Sequence, residues 1–443
     1  MEKPEQKSEI QTFYKDKVIF ITGASGFMGK VLIEKLLYAC SDLNKIYILI
    51  RPKRARSVET RVEEMFKLPL FQRIRNEKPQ LFKKVIPLNG DILSPNLGLF
   101  DEQCELLANE VNIVFHSAAT LRLEAKLKDA VDMNLTGTKR ILDLAKQMKY
   151  LKAFVHISTA FCHVDQEELG ERTYDSPNDP QDIMRLVQWL DEDAIDLISP
   201  KLLHPHPNTY TYSKRLAETL VANEFPKLPC VIARPSIVTP SLKEPMPGWV
   251  DNLNGPTGLI VGAGKGVIRS MHCNGDYHAE VIPVDIAINN LIVIAFRIAT
   301  NRENMVRIQK RISVGLEVLQ YFTTREWIFH NARLLKMDKE QSPMDKKLFP
   351  TIVYDVNIDE YLKYVILGSR QYCMKEDLST LPKARRHQKI MYIIHITTIY
   401  LFYFGVLYFI YNNFGIIRLC LECVTEVIKS LPLIGTVIQM LRL

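Results

Sequence analysis

Short apolar runs recur along the chain up to residue 238, and they alternate with turns or with apolar positions at helical spacing, as in 30–40. Strands that alternate with helices form right-handed βαβ units, so the pattern predicts an α/β protein with a doubly wound parallel sheet. The runs that predict strands are KVIFITGASG at 17–26, KIYILI at 45–50, KVIPLNGDI at 84–92, VNIVFHSAAT at 111–120, AFVHISTAF at 153–161 and CVIARPSIV at 230–238.

One later apolar run is much longer. The segment Ile390–Tyr411 has no charged residue unless His395 is protonated, and it is long enough to cross a hydrocarbon core of ~30 Å. A buried helix of a large soluble domain is the alternative. The residues 412–443 suit either an interfacial helix or a half-hairpin, and the sequence does not decide between them. Basic residues directly before the run predict that its N-terminal side faces the cytosol: Lys383, Arg385, Arg386 and Lys389.

Composition narrows the class of protein. Of the 443 residues, 47% are hydrophobic and 24% are charged, which is ordinary for a folded protein. A chain of this length is too long to form only one small core. The net charge of +7 suits anionic lipid or a phosphorylated ligand, and no basic run interleaved with aromatic residues indicates nucleic acid. A polar start and eight scattered cysteines indicate reduced thiols in a cytosol-facing domain. Cys420 and Cys423 lack a second ligand pair, so we expect free thiols and no metal site.

The first predicted strand ends in a glycine-rich turn, and a predicted helix follows. Ligands of a parallel sheet bind beyond the carboxyl ends of its strands, where glycine lets N–H groups at a helix N-terminus approach a pyrophosphate. The turn therefore predicts a Rossmann-type dinucleotide site. The expected contacts in this turn are Thr22, Gly23, Ser25, Gly26, Phe27, Met28 and Gly29.

The residues after the next two strands bear on which dinucleotide binds. Where an acid would hold the ribose 2′-hydroxyl of NAD, the sequence has Arg51 and Lys53, which can pair with the 2′-phosphate of NADPH. A solvated basic loop is the alternative, more so for Lys53 than for Arg51. Asp91, followed by Ile92, ends the third strand, where an acid can accept a hydrogen bond from an adenine amino group.

Candidate chemistry lies further along. Tyr210 precedes Lys214 by one helical turn, and a lysine charge can lower the tyrosine pKa toward neutrality and hold a ribose. Ser158 and Thr159 follow a strand, where a hydroxyl can bond a substrate carbonyl; a turn cap is the alternative. Y-x-x-x-K alone is usually surface helix. In this order with the glycine turn, the set predicts hydride transfer at a carbonyl.

These motifs resemble the extended short-chain dehydrogenase/reductase superfamily. The resemblance implies a catalytic trio of Thr159, Tyr210 and Lys214 with Ser158 as neighbour, and a lesser structural or relay role for Asn134. It rests on Thr22-Gly23-x-x-Gly26-x-x-Gly29, HSAAT at 116–120, NLTGT at 134–138, Thr159 and Tyr210/Lys214. The remaining cofactor contacts that it implies are Ala118, Ala119, Pro235 and Ile237, with Tyr210 and Lys214.

A narrower resemblance, to the fatty acyl-CoA reductases, covers most of residues 15–380. It rests on the proline- and glycine-rich string at 234–269, which contains EPMPGWVDN, on IPVD at 282–285, on IRPK at 50–53, and on the region 321–377. From its residues alone, the string is either a substrate lid or a rigid connector. The domains implied are a polar tail at 1–14, an NADP-binding reductase domain at 15–300, a mainly helical domain at 301–380, a transmembrane helix at 390–411 and a tail at 412–443. Around Thr300–Val314 the chain is several dozen residues shorter than members of that family.

This resemblance implies a reaction in which NADPH reduces a long-chain acyl-CoA to an aldehyde and a second NADPH gives the primary alcohol. It also implies a single-pass anchor with a cytosolic catalytic domain, at the endoplasmic reticulum or alternatively the peroxisome, and leaves a homodimer open. Two other functions stay open. One is a membrane-bound sterol dehydrogenase of the same superfamily, which is not expected to carry EPMPGWVDN, and the other is a non-catalytic paralogue that binds acyl-CoA and NADPH.

Overall fold

A computed structural model describes residues 8–52, 56–277, 279–300, 308–309, 328–353, 356–413 and 423. The described residues form two compact units, one up to Lys375 and the other from Glu376 onward. The first unit contains all six predicted strands and the candidate catalytic residues.

A seven-stranded parallel sheet is the centre of the first unit. The strands of the described residues are β1 (Val18–Thr22), β2 (Lys45–Ile50), β3 (Val85–Asn89), β4 (Ile113–His116), β5 (Ala153–Ile157), β6 (Glu168–Leu169), β7 (Cys230–Arg234), β8 (Ile237–Thr239), β9 (Val281–Pro283), β10 (Ile308–Gln309) and β11 (Ile328–Phe329). The sheet order is β10-β7-β5-β4-β1-β2-β3, and β8 with β9 and β6 with β11 form two small separate sheets. Every predicted strand lies in the large sheet, so the predicted fold class is confirmed.

Helices of the first unit cover both faces of this sheet. The α-helices of the described residues are α1 (Glu9–Tyr14), α2 (Phe27–Ala39), α3 (Val58–Phe66), α4 (Gln72–Glu77), α5 (Asp101–Glu110), α6 (Leu127–Ala130), α7 (Gly137–Ala145), α8 (Pro180–Trp189), α9 (Glu192–Leu203), α10 (Thr209–Glu224), α11 (Pro256–Gly264), α12 (Val284–Thr300), α13 (Ala332–Lys339), α14 (Pro343–Leu348), α15 (Ile358–Gly368) and, in the second unit, α16 (Leu381–Asn413). Successive residues of β1 point to opposite faces of the sheet. On one face, Ile19 and Ile21 pack with α2 and α12. On the other face, Val18 and Phe20 pack with α7 and α10. Burial on both faces explains the nearly continuous apolar strands.

The order of the strands fixes where a ligand can bind. From β1 the chain builds the sheet outward through β2 and β3, then returns to β4 on the other side of β1. This reversal makes the carboxyl ends of β1 and β4 the switch point of the sheet, the usual place for a dinucleotide. Thr22 and His116 are paired in register there.

The second unit contains the long helix α16. Leu378–Phe409 is long and apolar enough to cross a membrane, and none of its most apolar stretch is buried. Its length and composition are compatible with a membrane anchor. The tail that follows lies outside the described residues, apart from 412–413 and Cys423.

Candidate active site

The turn between β1 and α2 requires glycine at two positions. Gly23 has a φ of +73°, and a Cβ there would lie 2.7 Å from the carbonyl carbon of Ser117. A Cβ at Gly29 would lie 2.3 Å from the carbonyl oxygen of Gly23, so the start of α2 packs directly on the turn. Gly26 precedes α2 and supplies no side-chain cap to its first N–H groups. A backbone cradle at an uncapped helix N-terminus fits a pyrophosphate.

The other residues of the turn divide into exposed and packed ones. Ser25 and Gly26 are exposed, whereas Phe27 and Met28 are half-buried and pack against the core. The side chains of Phe27 and Met28 therefore hold α2 in place, and the backbone of these two residues belongs to the first turn of α2.

The switch point is held by buried hydrogen bonds. The Thr22 hydroxyl lies 2.7 Å from Nδ1 of His116 and accepts the N–H of Ala118 at 3.2 Å. Nε2 of His116 lies 3.0 Å from the Thr138 hydroxyl. Burial, and to a smaller extent Lys214, lower the pKa of His116 to about 3, so the ring is neutral. These bonds position the half-buried Ala118 and, after it, Ala119 beside the glycine turn.

The carboxyl end of β2 is basic, as the sequence predicted. Arg51 is exposed directly after the strand, and Lys53 lies outside the described residues. Arg61 of α3 donates a hydrogen bond to the Arg51 carbonyl, and burial together with Arg51 lowers the pKa of Arg61. Sequence analysis missed Arg61 because it stands ten residues further along the chain. Two arginines near one strand end suit an additional phosphate.

Asp91 and Ile92 form the loop after β3. Oδ1 of Asp91 accepts the N–H of Leu93 at 3.0 Å, so one carboxylate oxygen stabilises the loop after β3. Ile92 is buried against Gly137, where a Cβ would lie 2.9 Å from Cδ1 of Ile92. The structure thus gives the Ile92 side chain a packing contact with α7.

The candidate catalytic hydroxyls meet at the end of β5. Ser158 and Thr159 are buried directly after the strand, and Tyr210 is buried on the first turn of α10. The Thr159 hydroxyl accepts the N–H of Phe161 at 3.3 Å, and it is near enough to the Tyr210 phenol to lower the pKa of that phenol. Thr159 therefore caps the turn and also lies beside Tyr210, so its role as a turn cap does not exclude the predicted hydrogen bond to a substrate carbonyl.

One electrostatic prediction is wrong. The sequence predicted that Lys214 lowers the pKa of Tyr210 toward neutrality. Burial instead raises the pKa of Tyr210 well above its ordinary value, Cys162 raises it further, and only the Thr159 hydrogen bond lowers it. Because desolvation of the phenolate outweighs the hydrogen bond, the phenol keeps its proton.

Lys214 is buried one turn along α10 from Tyr210. Its Nζ donates to the carbonyl oxygen of Ile157, the last residue of β5, at 2.7 Å. Burial lowers the pKa of Lys214 to about 8, against the raising effects of Cys162 and Glu218. Burial of both members of the pair contradicts the alternative of an ordinary surface helix.

Sequence analysis missed a buried charged cluster beside these residues. The Glu218 carboxylate accepts hydrogen bonds from Nη2 and Nε of Arg234 at 2.6 and 2.8 Å, and it lies 2.9 Å from Nε2 of His163. The Cys162 thiol donates to it at 3.1 Å. Cys162, His163 and Glu218 are close enough to share a metal ion, but the guanidinium already holds the carboxylate, and a second cation there would be repelled. The available signal was spacing, since Glu218 follows Lys214 by four residues.

Three further candidates have mainly backbone or network contacts. Asn134 donates from Nδ2 to the Ser213 hydroxyl at 2.9 Å, which links it to the residue before Lys214. The Pro235 carbonyl accepts the N–H of Ala160 at 3.3 Å, and Ile237 is half-buried in β8. Asn134 and Pro235 thus support the turns that carry the trio.

The EPMPGWVD string is fastened at both ends to α2. Glu244 accepts a hydrogen bond from Nζ of Lys35 at 2.5 Å, and Asp251 forms an ion pair with Lys30. Between them Trp249 is almost fully buried. These contacts favour a rigid connector over a mobile lid for residues 244–251.

Two family models match the chain, both described as male sterility protein. The model of the NAD-binding part matches residues 21–291, and the model named Sterile matches residues 287–376. The first begins within β1 and ends within α12, so it covers the strands β2 to β5 and β7 of the large sheet, and the second begins within α12.

Curated relatives match over nearly their whole length. Fatty acyl-CoA reductase 1 of Rattus norvegicus is 32% identical over 456 residues, which cover 85% of this chain and 88% of the relative. Its Xenopus laevis counterpart is 34% identical with the same coverage, and fatty acyl-CoA reductase 2 of Mus musculus is 33% identical over 88% of this chain and 90% of the relative. The 456 aligned positions exceed the 443 residues of this chain, so the relatives have residues that it lacks. The expected junction at Thr300–Val314 lies mostly outside the described residues.

Solved structures share the fold at low identity. The terminal reductase domain of the myxalamid biosynthetic pathway has a TM-score of 0.52 at 18% identity, covering 80% of this chain and 91% of that domain. The reductase domain of a nonribosomal peptide synthetase from Mycobacterium tuberculosis has a TM-score of 0.50 at 17% identity, covering 85% and 84%. The relatives, at 32–34% identity across most of both chains, decide the family: this chain belongs to the fatty acyl-CoA reductases.

Proposed function

We propose that this protein reduces long-chain fatty acyl-CoA to the primary alcohol in two NADPH-dependent steps, with the aldehyde between them. Family membership supports the substrate class, because the relatives are named for fatty acyl-CoA. The observation that carries the proposal is the burial of Thr159, Tyr210 and Lys214 at the carboxyl edge of the sheet, where Lys214 donates to the last residue of β5.

In the proposed mechanism, Tyr210 is a proton donor. Its raised pKa keeps the phenol protonated, which suits a reduction, since negative charge develops on the substrate oxygen as hydride adds to the carbonyl. The Thr159 hydroxyl hydrogen-bonds the same oxygen. In the first step the carbonyl re-forms and the CoA thiolate leaves, which gives the aldehyde. In the second step the alkoxide takes the proton of Tyr210 and becomes the alcohol.

The cofactor residues follow from the fit of the site. NADPH, when bound, supplies the hydride. Gly23, Gly26 and Gly29 would hold its pyrophosphate, and Arg51 would pair with its 2′-phosphate. Lys214, mostly protonated below pH 8, would hold the nicotinamide ribose.

The proposed location is the cytosolic face of the endoplasmic reticulum, with α16 as a single-pass anchor. The apolar stretch of α16 and the basic cluster before Ile390 support it. Long acyl chains and fatty alcohols partition into bilayers, so an anchored reductase would meet substrate and product there.

The test uses the full chain in lipid nanodiscs with palmitoyl-CoA and NADPH, and mass spectrometry of aldehyde and alcohol. We expect hexadecanol and two NADPH oxidised per alcohol. Tyr210→Phe should lower kcat by about 10²- to 10⁴-fold because the proton donor is lost. The control is Tyr212→Phe on the same helix, whose hydroxyl bonds Asn178 at 2.7 Å and which should keep near-wild-type kcat.

Three outcomes would contradict the proposal. Turnover of a hydroxysteroid without alcohol from any acyl-CoA would favour the sterol dehydrogenase. NADPH binding without oxidation across medium to very long acyl chains would favour the non-catalytic paralogue. Full activity of Tyr210→Phe would refute the assigned proton donor.

A further inference from the structure

The mechanism above does not use the buried cluster of Glu218, Arg234, Cys162 and His163. This cluster nevertheless lies next to the helix of Tyr210 and Lys214 and to the turn of Thr159. Tyr210, Lys214 and Glu218 are spaced by four residues on α10, and all three are buried. Glu218 therefore extends the stripe that carries the proton donor and the lysine by one further turn.

The Glu218 carboxylate connects α10 to the two strands next to it in the site. Arg234 ends β7, and Cys162 and His163 belong to the turn that follows β5. The Cys162 thiol lies 3.1 Å from the Glu218 carboxylate and 3.1 Å from the carbonyl oxygen of Thr159. One carboxylate thus holds the segment that presents the Thr159 hydroxyl.

Glu218 is also the anion that counters the buried Lys214. The other groups around Lys214 are His116 on β4, His156 on β5 and Cys162, and burial keeps both imidazoles neutral and the thiol protonated. Arg234 and His163 hold Glu218 ionised, with a pKa well below its ordinary value despite burial. Among the described residues near Lys214, Glu218 is therefore the group that carries negative charge.

We propose that Glu218 is a positioning residue for the reduction, which keeps the Lys214 ammonium charged at the cofactor ribose and holds the Thr159 turn in place. The inference rests on the proposed function for its reaction, but not for its effect on Lys214. Glu218 itself touches neither substrate nor cofactor in this scheme.

The test is the pH dependence of NADP⁺ binding and of kcat/KM in the full chain. NADP⁺ affinity and kcat/KM should both fall as pH rises through the Lys214 pKa, and we call this fall the alkaline limb. Without the charge of Glu218, Lys214 loses its proton more readily, so Glu218→Gln should move the alkaline limb to lower pH by about one unit. A residue with a merely structural role would lower the amplitude of binding and rate and leave the limb where it is.

Glu218→Gln leaves Arg234 buried without its partner and can prevent folding. The double variant Glu218→Met/Arg234→Met removes both charges and leaves no buried charge unpaired, so it should fold. Because Glu218 acts on the Lys214 pKa and Arg234 is not among the groups that shift it, the displaced limb should persist in this variant. The matched control is Glu34→Met/Arg73→Met. It removes another ion pair, at 2.7 Å between the buried Glu34 and the half-buried Arg73, which lies outside this cluster and should leave the limb unmoved.

The outcomes separate the two claims. A folded Glu218→Met/Arg234→Met protein whose binding and rate limbs match those of the wild type would overturn the inference. Equal displacement in Glu34→Met/Arg73→Met would also overturn it. A displaced limb in NADP⁺ binding, in a protein that reduces no acyl-CoA, would refute the proposed function and leave the role of Glu218 standing.

Discussion

Replacement of Gly29 by alanine tests the proposed dinucleotide site most directly. A Cβ at this position would lie 2.3 Å from the carbonyl oxygen of Gly23 and 2.7 Å from Cα of Ala24, against an ordinary contact of 3.4 Å or more. All of these neighbours are backbone, so no side chain can turn away. The N-terminal turn of α2 must move by about an ångström, and it carries the N–H groups assigned to the pyrophosphate.

The size of the effect follows from the overlap. Overpacking of rigid sites costs about 1–3 kcal/mol, which corresponds to about a 5- to 150-fold weaker NADPH affinity if the strain is relieved only at the expense of the bound geometry. Fluorescence titration of the full chain with NADPH measures this. Gly26→Ala, whose Cβ would lie 3.1 Å from the same oxygen, should have a smaller effect.

Gly264→Ala is the control. Gly264 ends α11, and a Cβ there would meet nothing within 4 Å, so binding should be unchanged. Wild-type NADPH affinity of Gly29→Ala would refute the assignment of this turn to the dinucleotide. Equal loss of affinity in Gly29→Ala and Gly264→Ala would refute the steric reasoning, because a Cβ at Gly264 meets nothing.

Two other predictions concern stability. Lys214 has a pKa of about 8 in the folded protein and about 10.5 when unfolded, so the unfolded state binds more protons between these values, and the Lys214 contribution to the free energy of unfolding rises with pH there. Lys214→Met should remove that rise, and urea denaturation at pH 8 and 10 measures it; an identical pH slope in both proteins would contradict the reasoning. Asp285 is buried, and its carboxylate accepts the N–H groups of residues 242–244 at 2.9–3.1 Å, so Asp285→Ala should lower the free energy of unfolding by about 2–4 kcal/mol. An unchanged melting temperature would show that these bonds add nothing.

The sheet and the glycine turn could be predicted because their signals are local. Each strand is a contiguous apolar run, and the turn needs glycine at Gly23 for its positive φ and at Gly29 for the close approach of Gly23 and Ala24, which are both local constraints. The Tyr210–Lys214 pair was found for the same reason, as a spacing on one helix.

Features that depend on contacts across the chain could not be predicted. Glu218 meets Cys162 and His163 over more than fifty residues of sequence, and Arg234 reaches it from a neighbouring strand. The pKa of Tyr210 depends on how completely the fold buries the phenol, which no spacing reveals. The ion pair of Asp251 with Lys30 likewise depends on the packing of residues 244–251 against α2, two segments that are far apart in the sequence.

The fastening of the EPMPGWVD string to α2 distinguishes residues 244–251 from the segment that follows them. Residues 244–251 share ion pairs with the helix that begins the proposed nucleotide site, so a change in length there would disturb that site. Beyond Asp251, α11 has only Thr257 fully buried. Because the ion pairs with α2 end at Asp251, we expect substitutions in 252–277 to disturb the proposed nucleotide site less than substitutions in 244–251 do.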